Sequence, residues 1–299
     1  MKIRLDENGV HIFDRNNGTN ILLDEVQGDQ KNWARSPRHI SFALTNRCDL
    51  SCEYCYAPKN RSEIEFDKLC KWIIELDKNG AIGVGFGGGE PTIYKRFVEI
   101  CQFVSKHTQL SVSFTTHGHR ISKFMAEQLR GHVNFIRVSM DGLGLTYERL
   151  RGKSFTNFIS AISIIKTIAP FGINYVLNKD TIDELEEAIS FSNVLGAKEF
   201  LILPELDKLG NTNKEILDKL KCFLEIYKGG MPLRINSNCS DGIPIANPFK
   251  DEFSLNGFAF VDASGFLKVT SYDTYGIDLK EINIIDGMDI LRDRLKKIN

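Results

Sequence analysis

Short apolar runs alternate with amphipathic stretches through the middle of the chain. Six runs, rich in β-branched and aromatic residues, have the length and composition of buried strands. They cover residues 39–44, 82–86, 110–115, 134–140, 173–177 and 199–203. Between several of these runs, apolar residues recur every three or four positions, which predicts helices that bury one face. The helical patterns cover residues 65–78, 95–106, 156–168 and 181–195.

This alternation of strands and helices predicts an α/β fold. Strands that are joined through helices pair in parallel, with right-handed crossovers. Six strand–helix units are too few to close an eight-stranded barrel. We therefore expect a partial (βα)6 TIM barrel over residues 38–205.

Both flanks of this core have a different pattern. Residues 1–37 contain three short apolar runs separated by Asn-Gly turn signals, which predicts a small antiparallel hairpin or meander. Residues 206–299 contain a helical stripe over 213–228, a hairpin with strands at 257–262 and 266–270, and a final helix from about Met288. We expect them to form a small α+β extension.

Composition and charge narrow the class of protein. The chain has 299 residues, 42% of them hydrophobic, and a net charge of −1, which predicts neither a nucleic-acid partner nor a membrane surface partner. The start lacks an apolar signal segment, so we expect a cytoplasmic protein. In a reducing compartment, the seven cysteines favour metal binding or chemistry over a disulfide framework.

Three of the cysteines form the motif Cys48-x-x-x-Cys52-x-x-Cys55, directly after the first predicted strand. Three thiolates at this spacing can bind three irons of a cubic iron–sulfur cluster and leave the fourth iron without a protein ligand. A structural zinc site is a second interpretation, although such sites normally use four protein ligands. Three buried thiols are a third interpretation, but polar residues surround these positions.

Two further motifs follow predicted strands. Residues 87–91 read Gly-Gly-Gly-Glu-Pro, in which Gly88 and Gly89 let the backbone approach a ligand and Glu90 offers an anionic contact. A simple strand-ending turn is the alternative for this segment. After the fourth strand, Ser139 and Asp141 share a face, and a hydroxyl beside a carboxylate suits a ribose diol. A polar strand end that meets solvent is the alternative there.

The cysteine motif, the segment Gly88-Gly89-Glu90-Pro91 and the Ser-x-Asp-Gly segment together resemble the radical SAM superfamily. The resemblance implies one [4Fe–4S] cluster held by Cys48, Cys52 and Cys55, and S-adenosylmethionine as the second cofactor. It also implies reductive cleavage of S-adenosylmethionine to a 5′-deoxyadenosyl radical, which removes a hydrogen atom from a substrate. A flavodoxin- or ferredoxin-type electron donor is an implied partner. The cofactor contacts that it implies are Tyr54, Gly88, Gly89, Glu90, Pro91, Ser139, Asp141, Arg151 and Asn178.

Two segments resemble the peptide-modifying radical SAM enzymes that carry SPASM or twitch domains. These are Leu150-Arg151-Gly152 with Phe155, and the predicted hairpin near the end of the chain. A cysteine expected after the hairpin is replaced by Ser271 and Tyr272, so we expect a degenerate twitch-like domain without an auxiliary cluster. The resemblance favours a ribosomally made peptide as substrate, modified by crosslinking or epimerisation. A small-molecule substrate, or a non-catalytic sensor or scaffold, are the alternatives.

The remaining candidates have two interpretations each. His117 ends the third predicted strand and either faces substrate as a catalytic group or is a hydrogen-bonded residue of that strand end. Cys239 lies in a polar loop and is a candidate hydrogen-atom donor to a substrate radical. Cys70 and Cys101 fall on apolar helical stripes, which predicts that both pack in the core.

Overall fold

The computed structural model describes residues 1–207, 210–235, 243 and 255–298. Its first element is an antiparallel meander of three strands, β1 (Lys2–Asp6), β2 (Gly9–Asp14) and β3 (Thr19–Leu23). The Asn-Gly signals form its turns, and Gly9 has a φ of 116° that favours glycine. The predicted N-terminal β piece is confirmed.

The second sheet of the described residues contains the six predicted barrel strands, the two strands of the predicted C-terminal hairpin and two more. The barrel strands are β4 (His39–Thr45), β5 (Gly83–Gly88), β6 (Ser111–Thr116), β7 (Phe135–Ser139), β8 (Phe171–Leu177) and β9 (Phe200–Pro204). The hairpin strands are β11 (Phe258–Val261) and β12 (Phe266–Lys268), and the two strands that were not predicted are β10 (Leu233–Ile235) and β13 (Ile277–Asp278).

Eight helices surround this sheet in the described part of the chain. They are α1 (Phe66–Lys78), α2 (Phe97–His107), α3 (Lys123–Leu129), α4 (Gly144–Arg151), α5 (Phe155–Ile165), α6 (Leu185–Leu195), α7 (Lys214–Ile226) and α8 (Ile284–Ile298). The short helices α3 and α4 were not among the predicted helical patterns. Helix α8 begins four residues before the predicted Met288, because the Asn283 side chain accepts a hydrogen bond from the Ile285 N–H at 2.7 Å.

The sheet order is β10-β9-β8-β7-β6-β5-β4-β11-β12-β13, and every neighbouring pair from β10 to β11 is parallel. The predicted α/β fold with a partial TIM barrel is therefore confirmed. Residues beyond 205 extend both edges of the barrel sheet, with β10 beside β9 and the β11–β12 hairpin beside β4. The division of the chain at residue 206 into a separate extension stays a prediction.

The two faces of the barrel sheet have opposite chemistry. Phe42, Val84 and Phe114 lie on the outer face and are buried with apolar residues of the helices in one core. On the inner face, Glu199 forms ion pairs with Arg137 and Arg234, which ties β7 to the segment around β9 and β10. The inner face is thus polar and available for a ligand, whereas the outer face supplies the hydrophobic stabilisation. No helix in the described residues is long and apolar enough to cross a membrane.

A buried ion network joins the N-terminal meander to the barrel. Arg4 is only 1% exposed, and it donates hydrogen bonds to the carbonyl oxygens of Ser36 at 2.7 Å and Gly80 at 2.8 Å. Its Nε also donates to the Asp6 carboxylate, which in turn accepts from Arg38 at 2.6 Å. Burial lowers the pKa of Arg4 to about 10, although the bond to Asp6 opposes the effect. The guanidinium therefore supplies hydrogen bonds to groups of three segments, at Asp6, Ser36 and Gly80.

We predict that Arg4→Met destabilises the whole chain. The substitution leaves the Asp6 charge and two buried carbonyl oxygens with fewer partners, and breaking a buried pair typically costs about 3 kcal/mol. Urea unfolding followed by tryptophan fluorescence measures the change in the free energy of unfolding. Arg96→Met, which removes an exposed arginine paired with Glu99, is the control and should leave the midpoint unchanged. Equal midpoints for the two variants would contradict the prediction.

Candidate active site

The three motif cysteines lie on one loop that leaves the carboxyl end of β4. Cys48, Cys52 and Cys55 are all half-buried free thiols. The loop closes on itself, because the Asn46 N–H donates to the Ser62 carbonyl at 2.9 Å and the Ile64 N–H donates to the Leu44 carbonyl at 3.0 Å. The loop is thus anchored at both ends, and its cysteines lie at the edge of the sheet where parallel α/β folds bind ligands.

The Cys48 sulfur accepts a hydrogen bond from the Leu50 N–H at 3.4 Å. Burial raises the pKa of the Cys48 thiol, against the effect of this hydrogen bond. A thiol in these surroundings ionises readily only when a metal cation or another positive charge is close.

His117 lies beside this loop, and its hydrogen bonds define its tautomer. The His119 N–H donates to His117 Nδ1 at 3.1 Å, so Nδ1 is unprotonated and Nε2 carries the proton. Nε2 then donates to the Asp49 carboxylate at 2.9 Å. Atoms of Cys48, Asp49 and His117 lie within 4.8 Å of one another, as in a metal site. However, a metal at Nε2 would require the proton on Nδ1, where it would face another donor.

The glycine segment at the end of β5 packs directly on the backbone of the cysteine loop. A Cβ on Gly88 would lie 2.2 Å from the Thr45 carbonyl oxygen, and one on Gly89 would lie 2.3 Å from the Arg47 carbonyl oxygen. The Gly89 N–H donates to Thr45 at 2.7 Å. Gly88 and Gly89 are therefore required for contact between two protein segments. At Gly87 a Cβ would point into open space, so this position leaves room for a ligand.

Glu90 is 1% exposed, and the structure gives its carboxylate internal partners. It accepts hydrogen bonds from the Thr92 hydroxyl at 2.6 Å, the Thr116 hydroxyl at 2.8 Å and the His117 N–H at 3.1 Å. These bonds join the end of β5 to the end of β6. The prediction that Glu90 contacts a cofactor stays a prediction, and its visible role is to fix the glycine segment in place. Pro91 starts the short 3-10 turn Pro91–Ile93 directly after it.

A second buried carboxylate joins the cysteine loop to the end of β7. Asp141 is fully buried, and one of its oxygens accepts from the Val176 N–H at 2.8 Å. The other oxygen accepts from the Tyr54 hydroxyl at 2.7 Å and forms an ion pair with Arg151. Burial and the Asp141 charge raise the pKa of Tyr54, so its hydroxyl remains a donor. Ser139 is half-buried two residues before Asp141.

A cavity of about 740 Å³ opens beside this carboxylate. Tyr54, Arg151, Asn178 and Glu205 line it, and Asn178 donates a hydrogen bond to Glu205 at 2.7 Å. Its volume lies in the range of sites that enclose small organic ligands. The structure thus brings Tyr54, Arg151 and Asn178 to one cavity at the carboxyl ends of β8 and β9.

The residues present fit an iron–sulfur cluster with an anionic or polar ligand beside it. Three half-buried thiols share one loop. The Nε atom of Arg151 is buried without a hydrogen-bond partner, and its guanidinium borders the cavity. An unpaired buried donor of this kind indicates a missing acceptor, such as the carboxylate of S-adenosylmethionine. The open space at Gly87 provides room for backbone contact with the same ligand.

Sequence reasoning missed several features of this site. Gly87, Asp49 and Thr116 were not singled out, although the glycine run was visible as a signal for Gly87. Nothing local in the sequence predicts that Thr116 and His117 would hold the Glu90 carboxylate. The core positions of Cys101, which is buried, and Cys70, which packs on the core, are confirmed. Cys239 lies outside the described residues, and its role as a hydrogen donor stays a prediction.

We predict that alanine at Gly89 and alanine at Gly87 affect different properties of the site. Gly89→Ala forces the cysteine loop away from β5 and should lower the iron bound per chain after anaerobic reconstitution. Gly87→Ala should keep the iron but weaken S-adenosylmethionine binding roughly tenfold, equivalent to about 1.4 kcal/mol. Iron analysis and equilibrium dialysis measure the two quantities. Unchanged affinity in Gly87→Ala would show that the ligand does not occupy the space above this residue.

Known proteins with related sequences carry the names of different activities. Mycofactocin maturase MftC of Mycolicibacterium smegmatis is 28% identical over 173 residues, which cover 54% of this chain and 43% of MftC. GTP 3′,8-cyclase of Caulobacter vibrioides is 27% identical over 211 residues, 66% of this chain and 59% of that enzyme. The chain spans about half the length of the curated relatives it matches.

Among solved structures, Streptococcus suis SuiB bound to S-adenosylmethionine has the same fold. The TM-score is 0.74 at 14% identity, and the superposition covers 99% of this chain and 88% of SuiB. The family model of the radical SAM superfamily matches residues 42–192, which include the cysteine loop, the glycine segment and Asp141. The chain therefore belongs to the radical SAM superfamily, whose enzymes use a [4Fe–4S] cluster and S-adenosylmethionine.

Proposed function

We propose that this radical SAM enzyme modifies a ribosomally made peptide by crosslinking or epimerisation. The observation that carries the proposal is the placement of the three-cysteine loop against a cavity, with Tyr54 and Arg151 shared between loop and cavity. Two similarities support a peptide as the substrate. MftC is named a maturase, and SuiB has been solved bound to its precursor peptide SuiA.

Under this proposal, Cys48, Cys52 and Cys55 hold the cluster and leave one iron free of protein ligands. When bound, the two cofactors supply a 5′-deoxyadenosyl radical that removes a hydrogen atom from the substrate. Arg151 holds the cofactor carboxylate, because its buried Nε is free to donate. Ser139 and Asp141 orient the ribose, and Asn178 contacts the nucleoside from the end of β8. Position and exclusion of water are the contributions of the chain itself.

An external one-electron donor of the flavodoxin or ferredoxin type completes the proposed reaction, because the described residues hold no other group that can reduce the cluster. A cytoplasmic location belongs to the same proposal, since free half-buried thiols persist in a reducing compartment.

A small-molecule substrate is the second candidate, and one similarity favours it. The GTP 3′,8-cyclase match covers more of this chain than the MftC match does. The cavity is also lined by charged side chains, including Lys179 and Asp180, that could contact a polar small molecule. A sensor or scaffold that binds the cofactors without turnover is the candidate from another class, and the experiments below distinguish all three.

One prediction of the proposed function concerns the cluster ligands. Anaerobic reconstitution of the wild-type chain should give about four irons per chain and dithionite-dependent formation of 5′-deoxyadenosine. Alanine at Cys48, Cys52 and Cys55 together should abolish both, because no thiolate then remains on the loop. Cys222→Ala, which removes an exposed cysteine on α7, is the matched control and should change neither. Zinc in the wild-type protein, or iron retained by the triple variant, would contradict the assignment.

Another prediction of the proposed function concerns the substrate class. A short peptide encoded next to this gene, added to the reconstituted enzyme, should increase 5′-deoxyadenosine formation several-fold and should itself lose mass in units of two hydrogens or gain deuterium from solvent. A crosslink gives the first result and an epimerisation gives the second. Equal stimulation by GTP or another nucleotide, without a change in the peptide, would favour the small-molecule candidate. Cofactor binding without any 5′-deoxyadenosine would identify a sensor.

A further inference from the structure

Arg151 lies between the cysteine loop and the cavity at the end of α4. The following residue, Gly152, has a left-handed conformation with a φ of 64° that ends the helix. Arg151 is thereby the last helical residue, and its side chain runs back toward the sheet. Only 11% of the side chain is exposed. Arg151 is thus a largely buried cation, and a buried charge is stable only with specific partners.

The guanidinium contacts one of the motif cysteines directly. Its Nη1 lies 3.8 Å from the Cys52 sulfur, which is within hydrogen-bond range for a sulfur acceptor. Its Nη2 forms the ion pair with Asp141 described above. The carbon atom of the guanidinium also lies 5.9 Å from the centre of the Tyr54 ring. One face of the cluster loop therefore meets the positive end of the Arg151–Asp141 ion pair.

Asp141 fixes the position of this charge. The carboxylate is itself held by the Val176 N–H and the Tyr54 hydroxyl, at 2.8 and 2.7 Å. Because it cannot turn away without breaking these bonds, the guanidinium paired with it stays beside Cys52. The third nitrogen of the Arg151 guanidinium, Nε, takes no part in either contact. Nε is therefore left without an acceptor while the contacts to Asp141 and Cys52 are in place.

A cation that donates a hydrogen bond to a ligand sulfur acts on the redox chemistry of a cluster. Reduction adds negative charge to the irons and their sulfurs, and a nearby positive charge stabilises the reduced state more than the oxidised state. Hydrogen bonds to sulfur are among the factors that set the potential of iron–sulfur clusters. The effect is strong where water is largely excluded, as it is around this side chain.

We propose that Arg151 raises the reduction potential of the cluster through its contact with Cys52, and that Asp141 is the residue that positions it. This inference rests on the assignment of Cys52 as a cluster ligand in the proposed function, but not on the identity of the substrate. Under this proposal Arg151 has two roles: Nη1 donates a hydrogen bond to the cluster ligand Cys52, and Nε binds the carboxylate of the cofactor.

The test is a redox titration of the reconstituted cluster, followed by electron paramagnetic resonance in the absence of S-adenosylmethionine and substrate. Arg151→Gln should shift the midpoint potential to a more negative value, because the charge next to Cys52 is lost. Arg151→Lys should give a smaller shift in the same direction, because the charge remains but the two-pronged geometry does not. Arg149→Gln removes a neighbouring, more exposed arginine that pairs with Asp180, and should leave the potential unchanged.

A second readout detects the hydrogen bond itself. In deuterated buffer, hyperfine spectroscopy of the reduced wild-type cluster should show the coupling of an exchanged deuteron that Arg151→Gln lacks. An unchanged potential in Arg151→Gln, or an equal shift in Arg149→Gln, overturns the proposal. If Arg151→Gln binds no iron, the Arg151→Lys titration decides, and a wild-type potential there overturns it too. Absence of an iron–sulfur signal in the wild-type chain would instead contradict the proposed function.

Discussion

The site depends on the backbone contact between the end of β5 and the loop that carries the cysteines. Thr45 and Arg47 of the loop accept hydrogen bonds from the Gly89 and Glu90 N–H groups at 2.7 and 2.8 Å. Such an approach is possible only where no Cβ intervenes. The glycine segment therefore fixes where the three thiols lie relative to the sheet. The Glu90 carboxylate holds that segment in turn, through bonds to the end of β6.

Three neighbouring strand ends are tied to the cysteine loop in this way, and each tie uses a buried polar group. Glu90 and His117 connect β5 and β6 to the loop around Asp49. Asp141 connects β7 to Tyr54. Buried carboxylates are stable only when their lone pairs are fully used, and here backbone N–H groups, hydroxyls and a guanidinium use them. These bonds offset the cost of burying the carboxylates, and they anchor the loop to three strand ends.

The sequence predicted the parts of this arrangement that depend on local patterns. Alternating strands and helices identify the parallel sheet, and the spacing of Cys48, Cys52 and Cys55 identifies the cluster loop. Contacts between distant segments leave no such signal. Whether Glu90 faces a cofactor or the Thr116 hydroxyl depends on how β5 and β6 end relative to each other. The addition of β10 and β11 to opposite edges of the sheet likewise depends on long-range pairing.

The role of Arg4 makes the first residues of the chain part of the barrel rather than an appendage. Its guanidinium supplies donors to Ser36, Gly80 and Asn256, which come from segments far apart in sequence. An expression variant trimmed to begin near residue 38 would lose this cation and the hydrogen bonds that it donates to Gly80 and Asn256. Such a shortened protein would be a poor choice for crystallisation or enzymology, because the hydrogen bonds of Arg4 join the segments that lead into β4, β5 and β11.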